Sequence, residues 1–263
     1  MRMNGKIALV TGGSRGLGKV MVDAFAAEGA HVVIASRKID ECAALAQQIR
    51  EKYDRTTLPV ACNVSDWAQC DSLVEKVYGE LGRVDVLVNN AGMSVPYPSL
   101  DEVGEALWDK VLGVNLKGPF RLTAAIGTRM AAGDGGSIIN ISSMAAIRPE
   151  PEFLPYAAAK AGLNTLTEGF AKAFAPKVRV NTIQCGAFRT DISRAWSSDV
   201  EAELAAGAAL GRIGEPAEIA AAALYFASDA SSFSTGAMLR LDGASCTVQA
   251  KSLVMVRDSF RGV

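Results

Sequence analysis

The chain has 263 residues, 49% of them hydrophobic and 21% charged, with a formal net charge of −1. That balance excludes a disordered or collagen-like chain and offers no bulk positive field for nucleic acid or an anionic membrane. One histidine, His31, and five cysteines without a Cys-x-x-Cys pair leave no multi-histidine metal site and no zinc or disulfide framework.

Short β-branched runs alternate with longer helical patterns along the chain. Strands are predicted at Ile7–Thr11, His31–Ser36, Leu58–Cys62, Val84–Asn89, Ser137–Ser142, Val178–Gln184 and Ala237–Leu241. Helices are predicted at Leu17–Glu28, Asp40–Tyr53, Trp67–Leu81, Gly104–Met130, Tyr156–Ala175 and Pro216–Ala227. Near-continuous apolar strands separated by helices predict an α/β fold whose parallel sheet, of about seven strands, is covered on both faces. Right-handed crossovers make it a doubly wound, Rossmann-type sheet. No repeat, low-complexity tract or Pro/Ser-rich linker divides residues 1–263, which read as a single domain. The apolar stretches Ile7–Val10 and Ala220–Ala227 are too short for a signal-peptide core or a membrane span. With cysteine usage suited to a reducing compartment, a cytoplasmic protein is expected.

Ligands of such sheets bind beyond the carboxyl ends of the strands, where the winding reverses. His31 opens its strand at the opposite end, so it reads as a strand-end residue and a Ser–His–acid triad is set aside. The first strand instead runs into Thr11-Gly12-Gly13-Ser14-Arg15-Gly16-Leu17-Gly18. Glycines there permit a tight turn and bring backbone N–H groups close to a pyrophosphate at a helix N-terminus. A ribose-binding acid is expected about 20 residues later, but the chain has Ser36-Arg37-Lys38, with no acid until Asp40. A guanidinium pairs with a 2′-phosphate that a carboxylate would repel. Arg37, with Arg15 as a second charge, therefore predicts NADP(H). Asn63 offers an amide to the adenine edge, and Asn90-Ala91-Gly92 let backbone approach the adenosine half.

Tyr156 and Lys160 stand four apart, on one helix face. Ser142 and Ser143 end the fifth strand, and Asn115 lies in the long predicted helix. A free tyrosine titrates near 10; a neighbouring ammonium and an oxidised nicotinamide are expected to lower that value. Tyr156 then exchanges a proton with the substrate oxygen, and Ser143 hydrogen-bonds the same atom. Lys160 is expected to hold the nicotinamide ribose and Asn115 a water that connects Lys160 to solvent; taken singly, these residues also read as a helix-surface ion pair, a strand-end hydroxyl and a buried amide capping a kink.

The motifs TGGSRGLG (11–18), NNAG (89–92), Asn115, Ser143, YAAAK (156–160), RIGEPAEIA (212–220) and TGAMLRLDGA (235–244) resemble those of the short-chain dehydrogenase/reductase family over nearly the whole chain. The resemblance implies a catalytic tetrad of Asn115, Ser143, Tyr156 and Lys160, and a nicotinamide cofactor. It implies cofactor contacts from Gly12, Ser14, Arg15, Gly16, Leu17, Gly18, Ser36, Arg37, Asn63, Val64, Asn90, Ala91, Gly92, Tyr156, Lys160, Gly186, Phe188 and Thr190. Arg37 and Arg15 match the NADP-preferring members. It also implies homo-oligomers, dimers or tetramers, packed through the two long helices and the final strand.

Three departures stand out. Asn63 replaces a usual Asp, Cys185-Gly186 replaces a usual Pro-Gly, and the chain continues past Gly243 as a tail, 244–263, with the apolar patch Leu253–Val256. By resemblance, residues 190–214 form a substrate lid. Ala145, Ile147, Phe153, Leu154 and Trp196 would line the pocket for a moderately hydrophobic ketone or secondary alcohol. One alternative is a 3-oxoacyl carrier-protein reductase, which needs a basic patch for its acidic carrier; the stretch Ala131–Gly136 supplies none. The other is a non-catalytic NADP-binding scaffold or sensor. A small-molecule carbonyl or alcohol is the expected partner, with no metal.

Overall fold

The computed structural model describes residues 2–191, 193 and 196–245. The tail beyond Ser245, including Leu253–Val256, and the lid residue Arg194 lie outside the described residues. Seven strands, β1 (Ile7–Thr11), β2 (His31–Ser36), β3 (Thr57–Ala61), β4 (Val86–Asn89), β5 (Gly136–Ser143), β6 (Val178–Cys185) and β7 (Met238–Leu241), form one sheet in the order β3-β2-β1-β4-β5-β6-β7. Every neighbouring pair is parallel. The winding reverses between β1 and β4, which places the crevice where the sequence expects it.

Helices cover both faces: α1 (Gly16–Ala27), α2 (Ile39–Tyr53), α3 (Trp67–Leu81), α4 (Glu105–Leu112), α5 (Gly118–Ala132), α6 (Leu154–Ala173), α7 (Ser198–Ala206) and α8 (Pro216–Ala227). On one side, Val10, Ile34 and Val88 pack with Phe25 of α1, Leu45 of α2 and Phe226 of α8. On the other, Leu9, Val33 and Leu87 pack with Leu73 of α3 and Leu122 and Ile126 of α5. Successive residues of a strand point to opposite faces, so both faces must be apolar. Each buried aliphatic side chain contributes about 1.5–3 kcal/mol. Polar signals punctuate the helices. Asp66 caps α3 by accepting from the Gln69 N–H at 3.1 Å, and Gly82 closes it in the left-handed region, φ 78°.

Two elements differ from expectation. The predicted helix Gly104–Met130 is interrupted: α4 ends at Leu112, Gly113–Lys117 makes a π turn, and α5 begins at Gly118. Pro119 has no N–H to give the carbonyl four residues back, that of Asn115. Gly118 lies so close to β3's exit that a Cβ there would come within 2.3 Å of the Val64 carbonyl oxygen. The second is α7, a short helix within the predicted lid, which buries only Val200 and so shows no apolar stripe; its Ser197 cap accepts from the Val200 N–H at 3.3 Å. His31 behaves as a strand-end residue, its Nδ1 accepting from the Thr56 N–H at 3.1 Å.

Candidate active site

β1 ends at Thr11, beneath the crossing of β1 and β4. Its hydroxyl donates to the Val88 carbonyl (3.2 Å) and accepts from the N–H groups of Asn90 (3.0 Å) and Ala91 (3.1 Å). The Asn90 amide donates back to the carbonyls of Thr11 (2.9 Å) and Gly12 (3.1 Å). Asn90 is thus a brace for the glycine turn, and Thr11 is a structural member of the site that sequence reasoning passed over. Gly12 and Gly16 occupy the left-handed region, φ 61° and 54°, which glycine enters without strain. At Gly18 a Cβ would lie 2.2 Å from the Gly12 carbonyl oxygen, so only glycine lets α1 press against the turn.

The donors of this turn attract carboxylates. The Gly16 N–H donates to Asp191 Oδ2 at 3.4 Å. The Ser14 hydroxyl lies 3.1 Å from Ser36 Oγ and 3.3 Å from Glu41 Oε2. Both acids line a cavity of about 330 Å³ together with Arg15, Lys19 and Gln48. Glu41 also pairs with Lys38 at 2.9 Å. The Lys38 bond, with help from Ser14 and Arg15, holds its carboxyl below the usual carboxylate range. A turn that recruits two carboxylates fits an anionic, phosphate-bearing cofactor. Arg37 is exposed beside it. Asn63 is partly committed: its Oδ1 accepts from Ser65 N–H (3.2 Å) and Oγ (2.9 Å). Val64, next to it, is buried.

At the other end of the crevice, β5 delivers Ser143, whose Oγ accepts from the Ala145 N–H at 3.1 Å. The first turns of α6 carry Tyr156 and Lys160. Lys160 is buried, and its ammonium donates to the Ile141 carbonyl at 2.8 Å, 5.6 Å from the Tyr156 ring centre. Asn115 sits fully buried in the π turn. Its amide donates to the carbonyls of Met93 (2.8 Å) and Val111 (2.9 Å), and its Oδ1 accepts from the Met93 N–H (3.2 Å). The side chain therefore ties the segment after β4 to the helix and positions it. Between them lies Gly92, where a Cβ would stand 3.1 Å from Asn115 Oδ1 and 3.7 Å from Lys160 Nζ.

Burial dominates the ionisation of this cluster. With the protein's own groups alone, burial lifts the Tyr156 phenol to about 12; its Ser143 hydrogen bond pulls the other way, and Cys185 adds to the rise. Burial lowers Lys160 to about 8 and raises the Cys185 thiol to about 12. The Lys160 ammonium is bonded to a carbonyl and itself disfavoured by burial, and Ser143 is the protein group that opposes the rise at Tyr156.

The segment after β6 faces the glycine turn. The Gly186 N–H donates to the Leu241 carbonyl at 2.9 Å, anchoring the loop to β7. Phe188 is buried against Gly214, where a Cβ would meet its ring at 2.7 Å. Thr190 approaches Gly16: its Cβ is 3.9 Å from where a Gly16 Cβ would be. Near Ser143 and Tyr156, Ile147 and Leu154 are exposed. The Tyr97 hydroxyl donates to the Pro151 carbonyl and accepts from the Leu154 N–H, tying the β4 exit to the start of α6. Below the site runs a buried polar chain. Asn89 Nδ2 donates to Thr123 Oγ1 (2.9 Å) and Asn140 Oδ1 (2.8 Å), Asn140 Nδ2 donates to Thr167 Oγ1 (2.9 Å), and Thr167 meets Thr182 at 2.7 Å. Among the described residues no cluster of three metal-ligating side chains occurs, and no helix is long and apolar enough to cross a membrane.

The family model for short chain dehydrogenases matches residues 6–201. A 3-oxoacyl-[acyl-carrier-protein] reductase of Thermotoga maritima is 38% identical over 247 residues, covering 92% of this chain and 98% of its own. A D-threitol dehydrogenase of Mycolicibacterium smegmatis is 36% identical, with coverage of 92% and 93%. A gluconate 5-dehydrogenase of Burkholderia cenocepacia, solved with NADP and tartrate, superposes with a TM-score of 0.87 at 32% identity, covering 92% of this chain and 95% of its own. With this sheet, this glycine turn and these similarities, the chain belongs to the short-chain dehydrogenase/reductase family of oxidoreductases, which bind a nicotinamide cofactor and act on CH–OH or oxo groups.

Proposed function

We propose that the chain is an NADP(H)-dependent carbonyl reductase with Tyr156 as its general acid and base, acting on a moderately hydrophobic ketone or the matching secondary alcohol. One observation carries the reading: Lys160 is a buried ammonium whose partner is a backbone carbonyl rather than a carboxylate. Burying such a charge is costly, and a strongly perturbed group in a crevice marks chemistry.

The bound cofactor supplies the hydride and, when oxidised, a positive ring. Arg15 and Arg37 take the 2′-phosphate, and the turn from Gly12 to Gly18 takes the pyrophosphate. Asn63 and Val64 face the adenine, Asn90 to Gly92 flank the adenosine half, and Gly186, Phe188 and Thr190 flank the nicotinamide. Ser143 holds the substrate oxygen, and Tyr156 gives that oxygen its proton in reduction or removes it in oxidation. A phenol raised to about 12 remains the proton-bearing form across neutral pH. Lys160 anchors the ribose, and Asn115 positions the β4 exit beside it. Exposed Ile147 and Leu154 support an apolar substrate, and residues 190–214 serve as its lid. A homo-oligomer, dimer or tetramer, packed through α4, α5, α6 and β7 is the expected assembly.

A second reading, 3-oxoacyl carrier-protein reductase, is favoured by the likeness to the Thermotoga maritima enzyme. It is disfavoured by α5, whose Arg121 and Arg129 are paired with Asp71 and Glu75 and are thus less available to an acidic carrier.

The test is fluorescence titration with NADPH and NADH, then 340 nm assays on ketones, polyols and a 3-oxoacyl thioester. Tighter NADPH binding is expected, together with a loss of about 10²–10⁴ in rate for Tyr156→Phe. Reduction should hold from neutral pH into the alkaline range while oxidation climbs as the phenol ionises. Tighter NADH binding, or full activity in Tyr156→Phe, overturns the proposal. Turnover of polyols far above ketones overturns its substrate class.

A further inference from the structure

Two acids, Glu41 and Asp191, line the cavity beside Arg15, and Glu41 is the one of them bonded to Ser14 and Lys38, with the wrong sign for a 2′-phosphate. It stands in the first turn of α2, yet it reaches back across the crevice. Its Oε2 lies 3.3 Å from Ser14 Oγ in the glycine turn, and its Oε1 lies 2.9 Å from Nζ of Lys38, the residue that caps α2 just after β2. Ser14 is also 3.1 Å from Ser36, and the Lys38 N–H donates to Ser36 at 3.4 Å. One carboxylate thereby joins the two segments between which a ribose 2′-substituent would sit, in a cavity it lines with Ser14 and Arg15.

We infer that Glu41 is a specificity-determining residue that competes with the 2′-phosphate of NADP(H) for Ser14, Lys38 and Arg15, and favours the 2′-hydroxyl of NAD(H). The inference rests on the reading that Arg15 and Arg37 receive the phosphate. An arriving phosphate must displace the carboxylate from Ser14 and Lys38 or bind beside a like charge, which is unfavourable. A ribose hydroxyl meets no such conflict, because it can donate to the carboxylate. The charge balance of the subsite is thus held down by an acid that enters from α2 rather than from the end of β2.

The test measures dissociation constants of NADPH, NADH and adenosine 2′,5′-bisphosphate by fluorescence and calorimetry, without turnover, for the full chain, Glu41→Gln, Glu41→Ala and Arg37→Ala. Circular dichroism verifies that each variant is folded. Glu41→Gln keeps the shape and removes the charge. The ratio of NADH to NADPH dissociation constants should rise about tenfold, equal to roughly 1.4 kcal/mol, with the bisphosphate tightening in parallel. Glu41→Ala should move the ratio the same way. An unchanged or lower ratio in both Glu41 variants overturns the inference, even where Arg37→Ala weakens NADPH and so upholds the phosphate reading. If Arg37→Ala leaves NADPH binding unchanged, the phosphate reading fails, and the inference fails with it.

Discussion

At the end of β1, position is decided by atoms that are missing; at the end of β5, by charge that is buried. The glycine turn closes because Gly18 has no Cβ to strike the Gly12 carbonyl, and Thr11 and Asn90 clamp it with backbone bonds. The Ser143–Tyr156–Lys160 cluster is held where its ionisable members are each driven toward neutrality, the phenol upward and the ammonium downward. Both regions face one crevice. The first is a shape that tolerates no added volume, and the second is a stored electrostatic penalty that removal of the charge relieves.

The sharpest way to break this contrast is Gly18→Ala. One added methyl must displace backbone rather than a flexible side chain, so a destabilisation at or above the usual 1–3 kcal/mol of overpacking is expected, with cofactor binding lost. Thermal melts and NADPH fluorescence check it, and a well-folded variant that binds normally would show the turn to be plastic. Asn140→Ala comes next. It removes one buried bond each from Asn89 and Thr167, which keep Thr123 and Thr182 as partners, for a loss of about 1–3 kcal/mol in chemical denaturation.

Lys160→Met should move the opposite way. A lysine lowered from 10.5 to about 8 corresponds to on the order of 3 kcal/mol of burial cost at neutral pH. Losing its bond to the Ile141 carbonyl offsets about 1 kcal/mol of that. The variant should melt higher while turnover disappears. The sign follows from proton uptake: between about 8 and 10.5 the unfolded chain binds the proton that the folded chain has released. Wild-type stability therefore gains from Lys160 as pH rises through that window, and the variant should lack this rise. A lower melting temperature would mean that Lys160 is a structural post. The smallest effect is the control, Gly79→Ala in α3, where a Cβ meets nothing within 4 Å. Helix propensity alone should stabilise it by about 0.5–1 kcal/mol, which would separate the cost of shape at Gly18 from any general effect of replacing glycine.

Much of this was legible along the chain, and for identifiable reasons. The strands β1, β2 and β4 are buried on both faces, so their apolar runs are nearly unbroken, and α3 is bounded by Asp66 and Gly82, residues that act locally. Ser143, Tyr156 and Lys160 follow from their positions after β5 and along one helix face. What escaped depends on contacts between distant segments. Asn115 reads as a site residue, but its bonds to Met93, 22 residues away, appear only in the fold. Thr11 gains its role only from β4 lying alongside. Glu41 reads as an acid in the first turn of a helix, where acids are ordinarily favoured, and only the fold brings it to Ser14. The polar chain from Asn89 to Thr182 joins three strands and two helices, and no periodicity announces it.

The π turn at Gly113–Lys117 also bears on how this chain tolerates changes in length. A single extra residue in a helix rotates everything beyond it by about 100°. The π turn takes up such a residue locally, so excising one residue there would restore a regular helix and keep the buried face of α5, with Leu122 and Ile126, on the sheet, while moving Asn115 from its place in the turn. A scan of single-residue deletions should therefore find that a cut at 113–117 leaves the fold intact and costs the placement of Asn115, whereas the same cut inside α5 unfolds the chain.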